Sequence, residues 1–123
     1  MRVQFVQAGS ATRTPRLVLI DTGFTGDSAF VLSALERSRL AWHSSPPTWV
    51  HGAITGRVDR GWVMCSVPGT GLRGLLPAIY ADLAQLRLPG GIEGVAGLVF
   101  LQQFARWGAE RAADGEWRFF LET

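Results

Sequence analysis

Leu17-Val18-Leu19-Ile20-Asp21-Thr22-Gly23-Phe24-Thr25-Gly26 is the stretch of sequence that decides the fold. Four successive aliphatic residues before Asp21 are typical of a β-strand, and a run without alternation predicts a strand buried on both faces. The strand ends abruptly in a polar loop that contains two glycines. A carboxylate directly after a buried strand is either held by hydrogen bonds or used in chemistry. The loop that begins at Asp21 is therefore the first candidate functional site.

The segment after this loop predicts a short strand, a helix and a long hairpin. Residues 29–32 favour a strand, and the Ser-x-x-Glu spacing of a capping box at residues 33–36 predicts a helix over about 34–40. Pro46-Pro47 then predicts an extended linker. Residues 48–67 alternate in the manner of a β-hairpin, with a bulge expected at Arg60-Gly61.

The last part of the chain predicts more short elements. Residues 72–80 favour a strand, and the leucine spacing of residues 81–88 is helix-like. Residues 92–97 predict a short strand or turn, and residues 98–104 a compact helix. Asp114-Gly115 predicts the turn of a hairpin formed by residues 106–111 and 116–122. The whole chain, residues 1–123, is therefore predicted to be one mostly β domain with a few short helices.

Composition excludes several classes of function. The 12 basic residues are all arginine, are scattered along the chain and face 10 acidic residues, which argues against a nucleic-acid surface. No apolar run reaches the roughly 18 residues of a membrane span, and the first residues do not resemble a secretion signal. Cys65 has no disulfide partner, and with His43 and His51 it makes no convincing metal set. We expect a cytoplasmic protein without cofactor, metal, membrane or nucleic-acid partner.

Two chemistries use an aspartate and a glycine in a loop after a buried strand. The phosphate-contacting hairpin of actin-like ATPases and sugar kinases has the pattern Asp-x-Gly-x-Thr, which Asp21, Gly23 and Thr25 satisfy. That fold needs two domains, each about as long as this chain. The other chemistry is that of the aspartic peptidases.

The chain resembles the retropepsin-like aspartic proteases, in particular small prokaryotic relatives with an Asp-Thr-Gly-Phe motif. Three stretches carry the resemblance: residues 17–26 resemble the active-site strand and loop, residues 50–67 lie where the family has its flap hairpin, and residues 95–101 resemble its second glycine turn and following helix. The resemblance covers about residues 15 to 122. It implies a closed acid-protease barrel with one or two short helices, and a flap at about residues 48–67.

The resemblance also implies the site residues and the assembly. Asp21, Thr22 and Gly23 would be catalytic, and the substrate would be held by the residues after them and by the flap tip, namely Phe24, Thr25, Gly26, Ile54, Thr55 and Gly56. Peptide hydrolysis by this chemistry needs two carboxylates that share one proton. The sequence has only one such motif, so we expect a C2 homodimer in which Asp21 faces its symmetry mate. The expected function is hydrolysis of peptide bonds.

The sequence departs from the viral pattern at two positions. Thr25 and Leu98 stand where that pattern has an aspartate and an arginine, which form an ion pair that supports the viral dimer. Phe24 stands where pepsin-like enzymes have a serine. These departures leave open an alternative in which the same fold is a dimeric peptide-binding or assembly module with little turnover.

Overall fold

The computed structural model describes all residues 1–123, and half of them lie in strands. The strands are Arg2–Val6 (β1), Arg13–Ile20 (β2), Phe30–Ser33 (β3), Ala41–Val50 (β4), Gly56–Ser66 (β5), Arg73–Ala81 (β6), Gly94–Ala96 (β7), Arg106–Arg111 (β8) and Trp117–Glu122 (β9). The helical elements are two single α-helical turns, Arg37–Leu40 (α1) and Leu98–Leu101 (α2), and two 3₁₀ turns at Ala34–Glu36 and Leu83–Leu86. The predicted mostly β class is confirmed.

Six strands close into a barrel in the order β1-β2-β7-β3-β6-β5, because β5 pairs back with β1. β4 pairs only with β5 and extends the sheet beyond the barrel, and β8 and β9 form a separate two-stranded sheet. β2 runs parallel to β7, with Val18 opposite Gly94, and β7 runs antiparallel to β3. The closed barrel expected from the sequence is confirmed. Because β2 pairs with β7, the end of β2 lies beside a segment that comes much later in the chain.

Apolar residues form two buried clusters. The larger cluster fills the barrel and contains Phe5, Phe30 and Phe100, whose rings lie 5.2 Å apart in successive pairs. The smaller cluster contains six buried residues on the other face of β3, β6 and β7 and at the β4–β5 hairpin: Val31, Ile54, Val58, Ile79, Ala81 and Val95. The first cluster holds the barrel together, and the second lies under the candidate site.

The expectation that β2 is buried on both faces is wrong for the single chain. Val18 is fully buried, whereas Leu17 and Leu19 are each 38% exposed. Since β2 forms part of the barrel wall, only one of its faces points into the core. The aliphatic run therefore leaves an apolar outer face.

The β4–β5 hairpin is longer than predicted. Pro46-Pro47 lies within β4 and is not a linker between elements. The strand register shifts twice, between Ala41 and His43 and, at the prolines, between Ser45 and Thr48. Arg60 and Gly61 pair in step with Ser45 and Ser44, so neither shift lies between them. Proline cannot donate a backbone hydrogen bond, which suits a bulge on an edge strand. Arg60 Nε donates to the Pro46 carbonyl at 2.7 Å and fixes this part of the hairpin.

The helix predicted over residues 34–40 is present as a 3₁₀ turn followed by α1. Its capping box is formed only in part. Ser33 Oγ accepts from the Leu35 amide at 3.3 Å, but Glu36 does not reach back. Glu36 instead bonds to Arg16 Nη2 at 3.1 Å, because the barrel brings β2 beside this turn.

The two later helix predictions are too long. Residues 81–88 contain only the 3₁₀ turn Leu83–Leu86, which Asp82 caps through the Ala84 amide and which ends where Arg87 adopts a left-handed conformation with φ of 50°. Residues 98–104 contain α2, which ends at Leu101. In both segments the leucine spacing reflects packing on the barrel and not a continuous helical face.

The terminal hairpin is as predicted, with a turn at Asp114-Gly115 and φ of 86° at Gly115. Its apolar side chains are largely uncovered, and Trp117 is 69% exposed. Trp49 on β4 is likewise 70% exposed, so neither tryptophan packs in the core of the single chain. No helix in the chain is long and apolar enough to cross a membrane.

Candidate functional site

Asp21 lies directly after β2, at the point where β2 and β7 end side by side. The Asp21 amide donates to the Ala96 carbonyl at 2.9 Å, which continues the parallel pairing by one residue. The Asp21 carboxylate accepts from the Gly23 amide at 2.9 Å and remains exposed. The loop thus fixes the carboxylate in position and leaves it accessible to a ligand.

A close contact with the second glycine turn holds this loop in place. The Phe24 carbonyl accepts from the Leu98 amide at 2.9 Å, at the start of α2. A Cβ atom added at Gly97 would lie 2.5 Å from that carbonyl oxygen and 2.8 Å from the Phe24 ring. Only glycine fits at this position without a shift of the backbone. The Asp21 loop and the segment around Gly97 are therefore held against each other.

A groove of about 510 Å³ opens beside Asp21. One side, which we call the loop wall, consists of Asp21, Gly23, Phe24, Thr25 and Gly26. The opposite side, the hairpin wall, consists of residues 50–54 at the tip of the β4–β5 hairpin. Apolar side chains from the remaining elements complete the lining: Leu19, Val31, Ile79, Leu86, Leu88 and Val95. The groove is an apolar trough with a single carboxylate.

The hairpin wall has few close contacts. Gly52 and Gly56 have φ of 140° and 118°, a conformation that L-residues rarely adopt, and added Cβ atoms there would meet nothing within 4 Å. Thr55 Oγ1 donates to the Gly52 carbonyl at 3.1 Å within the tip itself. Ile54 is buried against the base of the groove. One apolar side chain therefore anchors an otherwise open turn.

Most of the residues predicted for the site line the groove together. Asp21, the predicted substrate-binding residues of its loop and Ile54 all do so. Thr22 is exposed and does not line it. Thr55 lines a neighbouring cavity of about 370 Å³, and Gly56 lines neither cavity. Of the predicted site residues, only Thr22, Thr55 and Gly56 therefore lie outside the groove lining.

Sequence reasoning missed two parts of the lining. Leu86 and Leu88 belong to the stretch for which the sequence suggested no functional role, and their apolar spacing was the available signal. The sequence alone favours His51 as a surface or strand residue, whereas in the structure it lines the groove on the hairpin wall. Its position next to the predicted flap tip was the available signal.

The groove suits acid–base chemistry and contains no metal centre. No group of three or more histidine, cysteine, aspartate or glutamate side chains is placed to bind a metal ion. Burial raises the pKa of Cys65 and that of Tyr80 to about 12, and both residues lie in the barrel core, away from the groove. Asp21 is the only carboxylate in the lining.

No family model, curated protein or solved structure matches this chain.

Proposed function

We propose that the protein is a homodimeric aspartic endopeptidase of the retropepsin-like type, in which Asp21 of each chain supplies half of the catalytic pair. One observation carries this proposal. The exposed carboxylate of Asp21, on a loop held by backbone hydrogen bonds, borders an apolar groove that the tip of the β4–β5 hairpin also lines. A groove of this kind has room for apolar side chains on both sides of a peptide bond. The Asp-Thr-Gly-Phe sequence of the loop supports the same assignment.

The proposed chemistry requires a second chain. Two carboxylates about 3 Å apart cannot both ionise, so they share one proton. The ionised carboxylate accepts a proton from a water molecule, and the protonated one donates to the carbonyl oxygen of the peptide bond. A single chain has one such carboxylate beside the groove, and it would therefore be inactive alone.

The outer surface of the chain offers apolar area for a dimer. Leu17 on β2 is partly exposed close to Asp21 in the sequence, and Trp117 and Phe119 are exposed on β9. Uncovered apolar side chains of this size are typical of protein interfaces. Thr22 does not line the groove in the single chain. In the proposed dimer its hydroxyl would form a hydrogen bond between the two Asp21 loops, as the resemblance implies.

The proposal gives the remaining predicted residues the role of holding the peptide. Phe24, Thr25 and Gly26 would contact it from the loop wall, and Ile54, Thr55 and Gly56 from the hairpin. An extended peptide bound as an added strand uses backbone hydrogen bonds for affinity and side-chain pockets for specificity. The hairpin would exclude water once the peptide is bound.

The test is substitution of Asp21 by asparagine, which keeps the size of the side chain and removes its charge. Cleavage of a pooled peptide library between about pH 4 and 7 should be abolished by Asp21→Asn. It should be retained by Asp59→Asn, a control on β5 whose carboxylate lies 3.7 Å from Arg37. Unchanged cleavage by Asp21→Asn would refute the proposal.

A mixing experiment tests the shared site. If two chains form one site, equal amounts of exchanging wild-type and Asp21→Asn chains should give about one quarter of the wild-type activity, because only wild-type pairs are active. About one half would mean that each chain acts alone. A wild-type protein that binds peptides without cleaving them would instead be the peptide-binding module considered above.

A further inference from the structure

His51 is the only side chain in the groove lining that can carry a positive charge. Of the 16 lining residues, 10 are hydrophobic, and the others are three glycines, Asp21, Thr25 and His51. Two arginines lie nearby in the sequence, but Arg57 lines the neighbouring cavity and Arg87 is absent from the lining although Leu86 and Leu88 belong to it. A negatively charged group inside the groove therefore has one possible partner, and that partner is on the hairpin wall.

We propose that His51 selects peptides that carry an acidic side chain, flanked by apolar residues, at the position facing the hairpin wall. This inference rests on the proposed function, because it concerns the substrate of the same groove. The Asp21 carboxylate on the loop wall disfavours an acidic group, and His51 on the hairpin wall is the one lining side chain whose charge can attract it.

The apolar lining strengthens this selection. A carboxylate that leaves water for an apolar groove loses hydration, and a hydrogen-bonded cation compensates for that loss. The charged side chains of the surrounding elements are Asp21 after β2, Arg57 and Asp59 on β5, and Asp82 after β6, and the last three line the neighbouring cavity and not the groove. β3, β6 and β7 contribute only apolar side chains to the groove lining.

Equilibrium binding to the full-length Asp21→Asn protein tests the inference without cleavage. Two pooled libraries of short apolar peptides are used, identical except that the central residue is glutamate in one and glutamine in the other. At about pH 5.5 we expect the glutamate pool to bind about three- to fivefold more tightly. Adding His51→Gln should make the two pools bind equally.

His43→Gln is the matched control, since His43 is an exposed histidine of β4 that does not line the groove. It should leave the preference unchanged. A preference that survives His51→Gln, or that His43→Gln removes equally, would overturn the inference and leave the proposed peptidase intact. If a folded Asp21→Asn protein binds neither pool, the groove does not hold peptides, and the inference and the proposed function fail together.

Discussion

The two walls of the groove are built in opposite ways. The loop wall is fixed by backbone hydrogen bonds to β7 and α2, and Phe24 lies so close to Gly97 that no side chain fits there. The hairpin wall contains Gly52, and Gly56 lies just beyond it; both have positive φ and empty space around them, and Ile54 is the buried residue of this turn. The carboxylate is thus on the side with the closer backbone contacts, and the other side of the groove is a turn with open space around its glycines.

The largest expected effect comes from breaking the rigid wall. Gly97→Ala forces a Cβ to within 2.5 Å of the Phe24 carbonyl oxygen, so the Asp21 loop must shift. We expect the free energy of unfolding to fall by about 3 kcal/mol, as overpacking of a tight backbone contact does. Chemical denaturation measures this loss.

The single cysteine offers a second measurement for the same variant. Burial raises the pKa of the Cys65 thiol to about 12, so the folded protein should react very slowly with a thiol reagent at about pH 8. Labelling should be faster in Gly97→Ala in proportion to the population of open molecules. Wild-type stability and an unchanged labelling rate would show that the loop wall is not rigid.

The same substitution on the hairpin wall should cost less. Gly52→Ala places a side chain at φ of 140°, which is strained, but in open space at a turn that can adjust. The expected loss in the free energy of unfolding is about 1 kcal/mol. Denaturation of the two alanine variants side by side gives the comparison directly. Equal losses at Gly97 and Gly52 would contradict the distinction between the walls.

A smaller effect is expected where the hairpin joins the loop segment. Arg60 bonds to the Pro46 carbonyl at 2.7 Å and lies 3.7 Å from Asp27, which follows the loop wall. Arg60→Met keeps the aliphatic stem and removes both contacts, so we expect a loss of about 0.5–1 kcal/mol. Amide exchange should become faster in β4 while the barrel strands are unaffected. Arg57→Met, on the same strand, is the control and should leave exchange in β4 unchanged.

Features set by local sequence could be predicted, and features set by distant contacts could not. Asp114-Gly115 forms its hairpin turn because the conformation at Gly115 is a property of the residue itself. The leucines of residues 81–88 suggest a helix, but Asp82 caps a single 3₁₀ turn and Arg87 ends it, since the groove and not a helical face takes up Leu86 and Leu88. Local spacing carries no information about such packing.

In the candidate site as well, features set by local sequence could be predicted and features set by distant contacts could not. The Asp21 loop and the β4–β5 hairpin could be predicted from their own residues. The contribution of His51 depends on where the hairpin tip meets the groove, which the hairpin sequence alone does not determine. The exposure of Leu17 and Leu19 likewise depends on which face of β2 the barrel encloses, and an uninterrupted aliphatic run does not specify that face.

The pairing of β2 with β7 has a consequence for the order in which the molecule is built. Leu17 bonds to the side chain of Glu93, 76 positions along the chain, and the Asp21 loop is completed only when Ala96 and Leu98 have arrived beside it. Contacts of such long sequence separation form slowly, because the loop-closure entropy must be overcome before they are made. A partly folded chain therefore has no assembled groove beside Asp21, and the groove appears only when folding is nearly complete.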